Sequence, residues 1–75
     1  MIGTMHELNK SGDTKIVWDS ENRKEIAAAR KTYNDLKKQG FTAYSVKDSG
    51  KRKEIVHTFD PYAEKIILVP PMAGG

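Results

Sequence analysis

The residues whose types and spacing could do chemistry stand at the end of the sequence. Two adjacent glycines lack Cβ atoms, so their backbone can pass through a channel that is too narrow for other residues. A Pro-Pro pair before them favours polyproline II, whose rise of about 3.1 Å per residue lets six residues reach about 20 Å. Such a tail could carry the carboxylate of its last residue into a site of another protein. The tail consists of Pro70, Pro71, Met72, Ala73, Gly74 and Gly75.

The other reactive residue types are too few to form a catalytic or metal centre. There are no cysteines, which excludes a disulfide framework, a thiolate zinc site and a cysteine nucleophile. His6 and His57 are the only histidines, and only scattered carboxylates could join them as metal ligands. Two histidines and a few serines do not define a Ser–His–Asp arrangement. We therefore expect no enzyme active site, no metal and no bound cofactor.

A second candidate site combines positive charge with aromatic rings. Lys51, Arg52 and Lys53 form a basic run at the tip of a predicted hairpin, where they could bind phosphates. Trp18 or Tyr44 on an open sheet face could stack a nucleic-acid base. The competing interpretation is a solvated tip whose charges discourage edge-to-edge aggregation.

One amphipathic helix is the clearest of the elements that must position these residues. Asp19, Ser20 and Asn22 are competent N-caps. Asn22 and Glu25 have the spacing of a capping box, and Gly40 is predicted to end the helix in a left-handed conformation. Apolar residues that recur at helical spacing must face a partner surface, and they are Ile26, Ala29, Tyr33 and Leu36.

The strands are predicted from β-branched and aromatic runs that turn residues separate. Residues 65–69 are apolar at successive positions, as expected for a central strand or one that pairs in parallel. In residues 54–59, alternation predicts that Ile55, His57 and Phe59 share one face. The predicted strands are 5–9, 15–18, 41–46, 54–59 and 65–69, with turns at 10–13 and 48–50.

The order strand, strand, helix, strand, strand, strand indicates an α+β domain with one helix packed on a mixed sheet. A β-grasp (ubiquitin-like) arrangement, in which the helix crosses the sheet and the first and last strands are neighbours, fits this order. A ferredoxin-like fold needs a second helix, for which residues 60–64 are too few. We predict one compact domain over residues 1–69, with residues 1–4 loose, and an extended tail over residues 70–75.

The last strand and the tail together carry a resemblance to a known family. Residues 65–75 read KIILVPPMAGG, an apolar strand followed by Pro-Pro, an apolar residue, a small residue and Gly-Gly. This ending, with Phe59-Asp60-Pro61 before it, resembles the ubiquitin-like sulfur carriers, above all the small subunit of molybdopterin synthase. The residues upstream agree with that family only in length and element order.

The resemblance implies a β-grasp fold and a carrier function for the tail. A partner enzyme would use ATP to adenylate the Gly75 carboxylate, which would then become a thiocarboxylate or be joined to an amine. The implied partners are this adenylating enzyme and a downstream acceptor or synthase subunit. The carrier would bind no cofactor itself, since ATP is used by the partner.

Composition adds bounds on partners and location. The 13 Lys and Arg residues against 10 Asp and Glu give a net charge of +3, which is too weak to indicate nucleic acid by itself. No apolar run approaches the roughly 18 residues of a membrane span, so we expect a cytoplasmic protein without a membrane partner. The leading hypothesis is a non-catalytic carrier. The alternative is a small protein- or nucleic-acid-binding module, of phage or mobile-element origin, that uses the basic hairpin tip and the open sheet face.

Overall fold

The protein is an α+β domain in which one helix packs on a five-stranded mixed sheet. The computed structural model describes residues 1–9, 12–47 and 51–71. The predicted order of elements is confirmed within these residues. The elements are β1 (Ile2–Asn9), β2 (Gly12–Asp19), α1 (Arg23–Lys38), β3 (Thr42–Lys47), β4 (Arg52–Val56) and β5 (Lys65–Val69).

The last strand, β5, lies at the centre of the sheet, whose strand order is β2-β1-β5-β3-β4. It pairs in parallel with β1 and antiparallel with β3. Ile66 and Leu68 are fully buried, and Ile67 and Val69 between and after them are half-buried. The predicted central, parallel-paired last strand is therefore confirmed, although only the face of β5 towards α1 is fully buried.

The first strand begins earlier than the sequence predicted. Residues 1–4 were expected to be loose, but β1 starts at Ile2 and pairs with β2 from Ile2–Asp19 to Asn9–Gly12. The reason is packing: a Cβ added at Gly3 would lie 2.4 Å from the Trp18 ring. Glycine at this position lets the indole close over the strand, so a residue that reads as flexible is required by a close contact.

Two predicted turns lie partly or wholly outside the described residues. In the turn predicted at 10–13, residues 10 and 11 are outside them, whereas Gly12 has a φ of +119° and begins β2. The positive φ is the conformation that glycine adopts without steric cost. The turn predicted at 48–50 is also outside the described residues.

The N-terminus of α1 is fixed by the pair that the sequence predicted. The side-chain oxygen of Asn22 accepts hydrogen bonds from the backbone N–H groups of Lys24 (3.0 Å) and Glu25 (3.2 Å). The Glu25 carboxylate accepts in return from Asn22 Nδ2 (2.8 Å) and from the backbone N–H of Asp19 (3.0 Å). The helix therefore starts where its unpaired N–H groups find side-chain acceptors.

The C-terminus of α1 is capped at the predicted glycine. Gly40 has a φ of +97°, its N–H donates to Lys37 O, and the N–H of Phe41 donates to Leu36 O. These two bonds form a Schellman motif, which satisfies the last carbonyls of the helix. The motif turns the chain so that Phe41 packs against the core as β3 begins.

The core lies between α1 and one face of the sheet. The predicted helix stripe is confirmed, since Ala29, Tyr33 and Leu36 are buried and Ile26 packs against them. Trp18 and Phe59 join the stripe, and the Phe59 ring centroid lies 5.0 Å from that of Trp18 and 5.7 Å from that of Tyr33. Tilted aromatic pairs at such distances add to the stability that their burial provides.

The strand predicted at residues 54–59 differs from β4 in its bounds and in its faces. β4 covers Arg52–Val56, and the chain bends at residues 57 and 58. Phe59 consequently leaves the sheet and enters the core, whereas Ile55 keeps 57% of its surface exposed. The prediction that Ile55 and Phe59 share one face is wrong, because alternation holds only as far as the bend.

Candidate functional site

The face of the sheet opposite α1, called the open face below, is not covered by any described element. Alternation along the strands and the pairing register decide which side chains share it. One row across the sheet contains Lys15, His6, Ile67, Tyr44 and Ile55. The neighbouring row contains Val17, Thr4, Lys65, Val46 and Lys53.

A shallow groove of about 200 Å³ lies on the open face. Ligand pockets that enclose a small molecule are larger, about 300–1,000 Å³, so this groove suits one or two side chains of a partner. Four of the five lining residues are apolar or aromatic, and the remaining one supplies an amine at the rim. The lining residues are Leu8, Tyr44, Lys53, Ile67 and Val69.

Exposed apolar side chains extend the open face beyond the groove. Ile55 is 57% exposed, Ile2 is 58% exposed and Val17 is 50% exposed. By register, all three share the face of the groove residues. Ile55 stands at the β4 edge of the sheet and Ile2 and Val17 stand on β1 and β2, so exposed apolar side chains occur near both edges of this face.

Charged side chains accompany the apolar part of the open face, three lysines and, by register, Asp13 and Asp19. Lys15, Lys53 and Lys65 are exposed and share this face with His6. Desolvation lowers the pKa of His6 below its ordinary value, and the charges of Lys65 and Lys15 lower it further. Asp13 acts in the opposite direction. The open face thus joins apolar contact area to charges of both signs.

Trp18 does not lie on the open face, and its predicted role as a stacking platform is wrong. Its surface is fully buried, and its Nε1 donates a 2.8 Å hydrogen bond to the carbonyl of Pro61. Alternation in β2 explains the error, because Trp18 and Ile16 share the side of the strand that faces α1. The indole is a core residue whose only polar atom is satisfied.

The predicted basic run divides between two faces of the sheet. Lys51, Arg52 and Lys53 are all exposed, but only Lys53 shares the open face and lines the groove with Tyr44. Arg52 faces the other way, and its Nη2 lies 3.8 Å from the Glu54 carboxylate. The structure therefore brings Tyr44 and Lys53 together and does not bring Arg52 to the same site.

The predicted carrier tail is described only at its root. Pro70 is half-buried and Pro71 is exposed, while Met72, Ala73, Gly74 and Gly75 lie outside the described residues. Pro71 lies beside the C-terminal turn of α1, since a Cβ added at Gly40 would be 3.5 Å from its ring. The chain thus leaves the centre of the sheet and passes the end of the helix.

Sequence reasoning did not single out several residues of the open face. Leu8, Ile67 and Lys65 come from β1 and β5, and they meet Tyr44 only through the pairing of β5 with its neighbours. The even-numbered positions within residues 2–8 could have indicated the open face, because they alternate with the buried Gly3 and Met5. That signal becomes readable only once β1 is known to begin at Ile2.

Neither a cofactor site nor a known relative identifies the function. Among residues 1–9, 12–47 and 51–71, no group of three or more His, Asp or Glu side chains could hold a metal ion. No helix within the same residues is long and apolar enough to cross a membrane. Comparisons with models of protein families, with curated proteins and with solved structures gave no match. A function must therefore be argued from the chemistry of this chain's own residues.

Proposed function

We propose that the chain is a β-grasp carrier protein, whose Gly75 carboxylate a partner enzyme activates with ATP for sulfur transfer as a thiocarboxylate. The observation that carries the proposal is the position of β5. Its place beside a parallel β1, in a sheet with one helix on one face, supports the proposal, because a β-grasp arrangement has its first and last strands side by side. The resemblance of residues 65–75 to the sulfur carriers supports the same function.

The surroundings of β5 suit a strand that delivers a tail. Hydrogen-bond ladders to β1 and β3 hold it on both sides, and Ile66 and Leu68 anchor it in the core. A tail that follows such a strand can be inserted into a partner without loosening the domain. Pro70 and Pro71 reduce the conformational entropy that the tail loses on insertion.

The chemistry belongs to the partner. A carboxylate oxygen of Gly75 attacks the α-phosphorus of ATP, and pyrophosphate leaves with the electron pair of the broken bond. A hydrosulfide-equivalent donor then attacks the acyl carbon, AMP leaves, and the product is a thiocarboxylate. The chain supplies the glycine backbone that reaches the site, and the open face supplies the docking surface.

The proposal requires that Gly75 bears the free carboxylate and that this carboxylate becomes a thiocarboxylate. Intact mass measurement tests both requirements. The protein isolated from its natural source should end at Gly75. After incubation with ATP, sulfide and the adenylating enzyme of the same source, its mass should rise by the difference between sulfur and oxygen. The variant lacking Gly75 should fold equally well and gain no mass. No mass gain in the complete chain, under conditions that modify a competent control carrier, would refute the function.

The second candidate is a protein-binding module, and the groove on the open face favours it. Leu8, Ile67 and Val69 offer an apolar cleft, and Lys53 stands at its rim. The two functions separate in one comparison. Deletion of Gly75 should abolish carrier activity and leave a binding module unaffected, whereas Ile67→Asp should weaken partner docking in both cases.

A further inference from the structure

Two rows of basic residues lie on the side of α1 that the buried stripe leaves uncovered. Six of its 16 residues are Arg or Lys, and none of them belongs to the buried stripe. They form two adjacent rows that repeat at every second turn, so a helix with about 3.6 residues per turn places them on one side. This basic face consists of Arg23, Lys24, Arg30, Lys31, Lys37 and Lys38.

Two acidic residues of α1, Glu25 and Asp35, lie near the basic face, and Asp35 lines its central depression. Glu25 lies on the flank of the helix, where it caps the N-terminus through Asn22 and Asp19. Asp35 pairs with Lys31 at 3.2 Å, but both side chains are at least half exposed. An exposed ion pair of this kind is weak, so a phosphate group can compete with Asp35 for Lys31.

The middle of the basic face is an open depression lined mainly by polar and charged side chains. The depression has a volume of about 430 Å³ and lies between side chains of both basic rows. The guanidinium of Arg30 lies 5.8 Å above the centroid of the Phe59 ring, which restricts where its donors can point. The depression is lined by Ala27, Arg30, Lys31, Asn34, Asp35 and Lys38.

The composition of the basic face selects among its potential anionic partners. A membrane surface would require apolar side chains beside the charges, and Ala27 is the only apolar residue of the depression. A protein partner would require aromatic or aliphatic anchors, which lie on the open face of the sheet instead. Single-stranded nucleic acid would require exposed rings for stacking. A duplex backbone requires only cations and hydrogen-bond donors.

We propose that the basic face of α1 binds the phosphate backbone of a nucleic-acid duplex. The helix is about 24 Å long at a rise of about 1.5 Å per residue, which is long enough to follow several successive phosphates. The two rows present cations along this length, and Asn34 adds a neutral donor between them. This activity does not depend on Gly75 and is separate from the proposed carrier function.

Two variants that remove the same charge from different places provide the test. Lys24→Gln/Lys31→Gln/Lys38→Gln empties one row of the basic face. Lys15→Gln/Lys47→Gln/Lys65→Gln, the matched control, removes exposed charges from β2, β3 and β5. Each set removes three positive charges and takes the net charge from +3 to 0. Gln and Lys have similar helix propensities, so circular dichroism should show α1 intact in both.

The measurement is fluorescence anisotropy of labelled DNA and RNA duplexes of about 20 base pairs, over a salt series that starts at about 50 mM. The helix variant should bind at least about tenfold more weakly than the complete natural chain, and its salt slope should be about 2.7 units shallower, for three lost contacts. The control should stay within about twofold. Preference for the DNA or the RNA duplex would support the proposal and identify which of the two nucleic acids the basic face binds.

Three outcomes would overturn the assignment. Equal losses in the two variants would mean that net charge alone causes binding. Absence of binding by the natural chain at the lowest salt would remove the activity altogether. Equal affinity for a polyglutamate chain would indicate a general acidic partner and not a phosphate backbone.

Discussion

The two faces of the sheet are built from the same strands and differ in what their side chains do. On the helix side, Met5, Trp18, Ile66 and Leu68 have no measurable exposure, and α1 closes over them. On the open side, the alternate residues of these strands are half-buried apolar groups among exposed lysines. A small domain can form only one core, so the second face is free for interaction. Substitutions on the helix side should therefore change folding, and those on the open side should change binding.

The largest effect expected from this comparison comes from Trp18→Ala. Loss of a fully buried aromatic side chain costs about 3–5 kcal/mol, and this change also leaves the carbonyl of Pro61 without its donor. Small domains have unfolding free energies of about 5–15 kcal/mol, so much of the stability should be lost. Urea denaturation followed by circular dichroism measures the change.

Ile55→Ala is the matched control on the open face. Ile55 is 57% exposed, so its truncation should change the free energy of unfolding by about 0.5 kcal/mol or less. If Ile55→Ala destabilised the domain as much as Trp18→Ala, the division between a core face and an interaction face would be wrong.

Gly3→Ala should give an intermediate effect. The added Cβ would lie 2.4 Å from the Trp18 ring and 2.8 Å from the carbonyl oxygen of Ala63, and neither is the free end of a flexible side chain. Forced shifts in a packed core cost about 1–3 kcal/mol. Thermal unfolding should register the loss, while Thr4→Ala, on the open side of the same strand, should leave the midpoint nearly unchanged. An undiminished midpoint for Gly3→Ala would mean that the indole does not close over β1.

The elements predicted correctly depend on neighbours in sequence. Asn22 and Glu25 fix one end of α1, and Gly40 fixes the other, through hydrogen bonds within a few residues. The apolar run of β5 likewise predicts, from its own residues, that this strand is central in the sheet. These signals are local, and local signals survive in the sequence as spacing and residue type.

The features predicted wrongly or not at all depend on contacts between distant residues. Gly3 reads as a loose terminus until Trp18 is placed over it, and Phe59 reads as a strand residue until the bend after β4 is known. The groove needs Leu8, Tyr44 and Ile67 from three strands that are far apart in the chain. Register between strands decides these contacts, and a single sequence does not state it.

The smallest expected effect concerns His6, which shares the open face with Lys15 and Lys65. Its pKa lies below the ordinary value of 6.5, first because of desolvation and then because of these two charges, while Asp13 opposes them. The unfolded chain therefore takes up the proton more readily than the folded one. The free energy of unfolding should fall as the pH drops through 6.5 and become constant below the pKa of the folded state.

An NMR titration of the His6 ring can separate the open face from the rest of the molecule. Lys65→Gln removes one of the two cations that lower the pKa of His6, so this pKa should move up towards its ordinary value. Lys31→Gln removes an equal charge from α1, on the other side of the sheet, and should leave the titration unchanged because solvent screens distant charges. Equal responses to both variants would mean that His6 senses the net charge of the domain. A response to Lys65→Gln alone would mean that His6 senses the local charges of the open face.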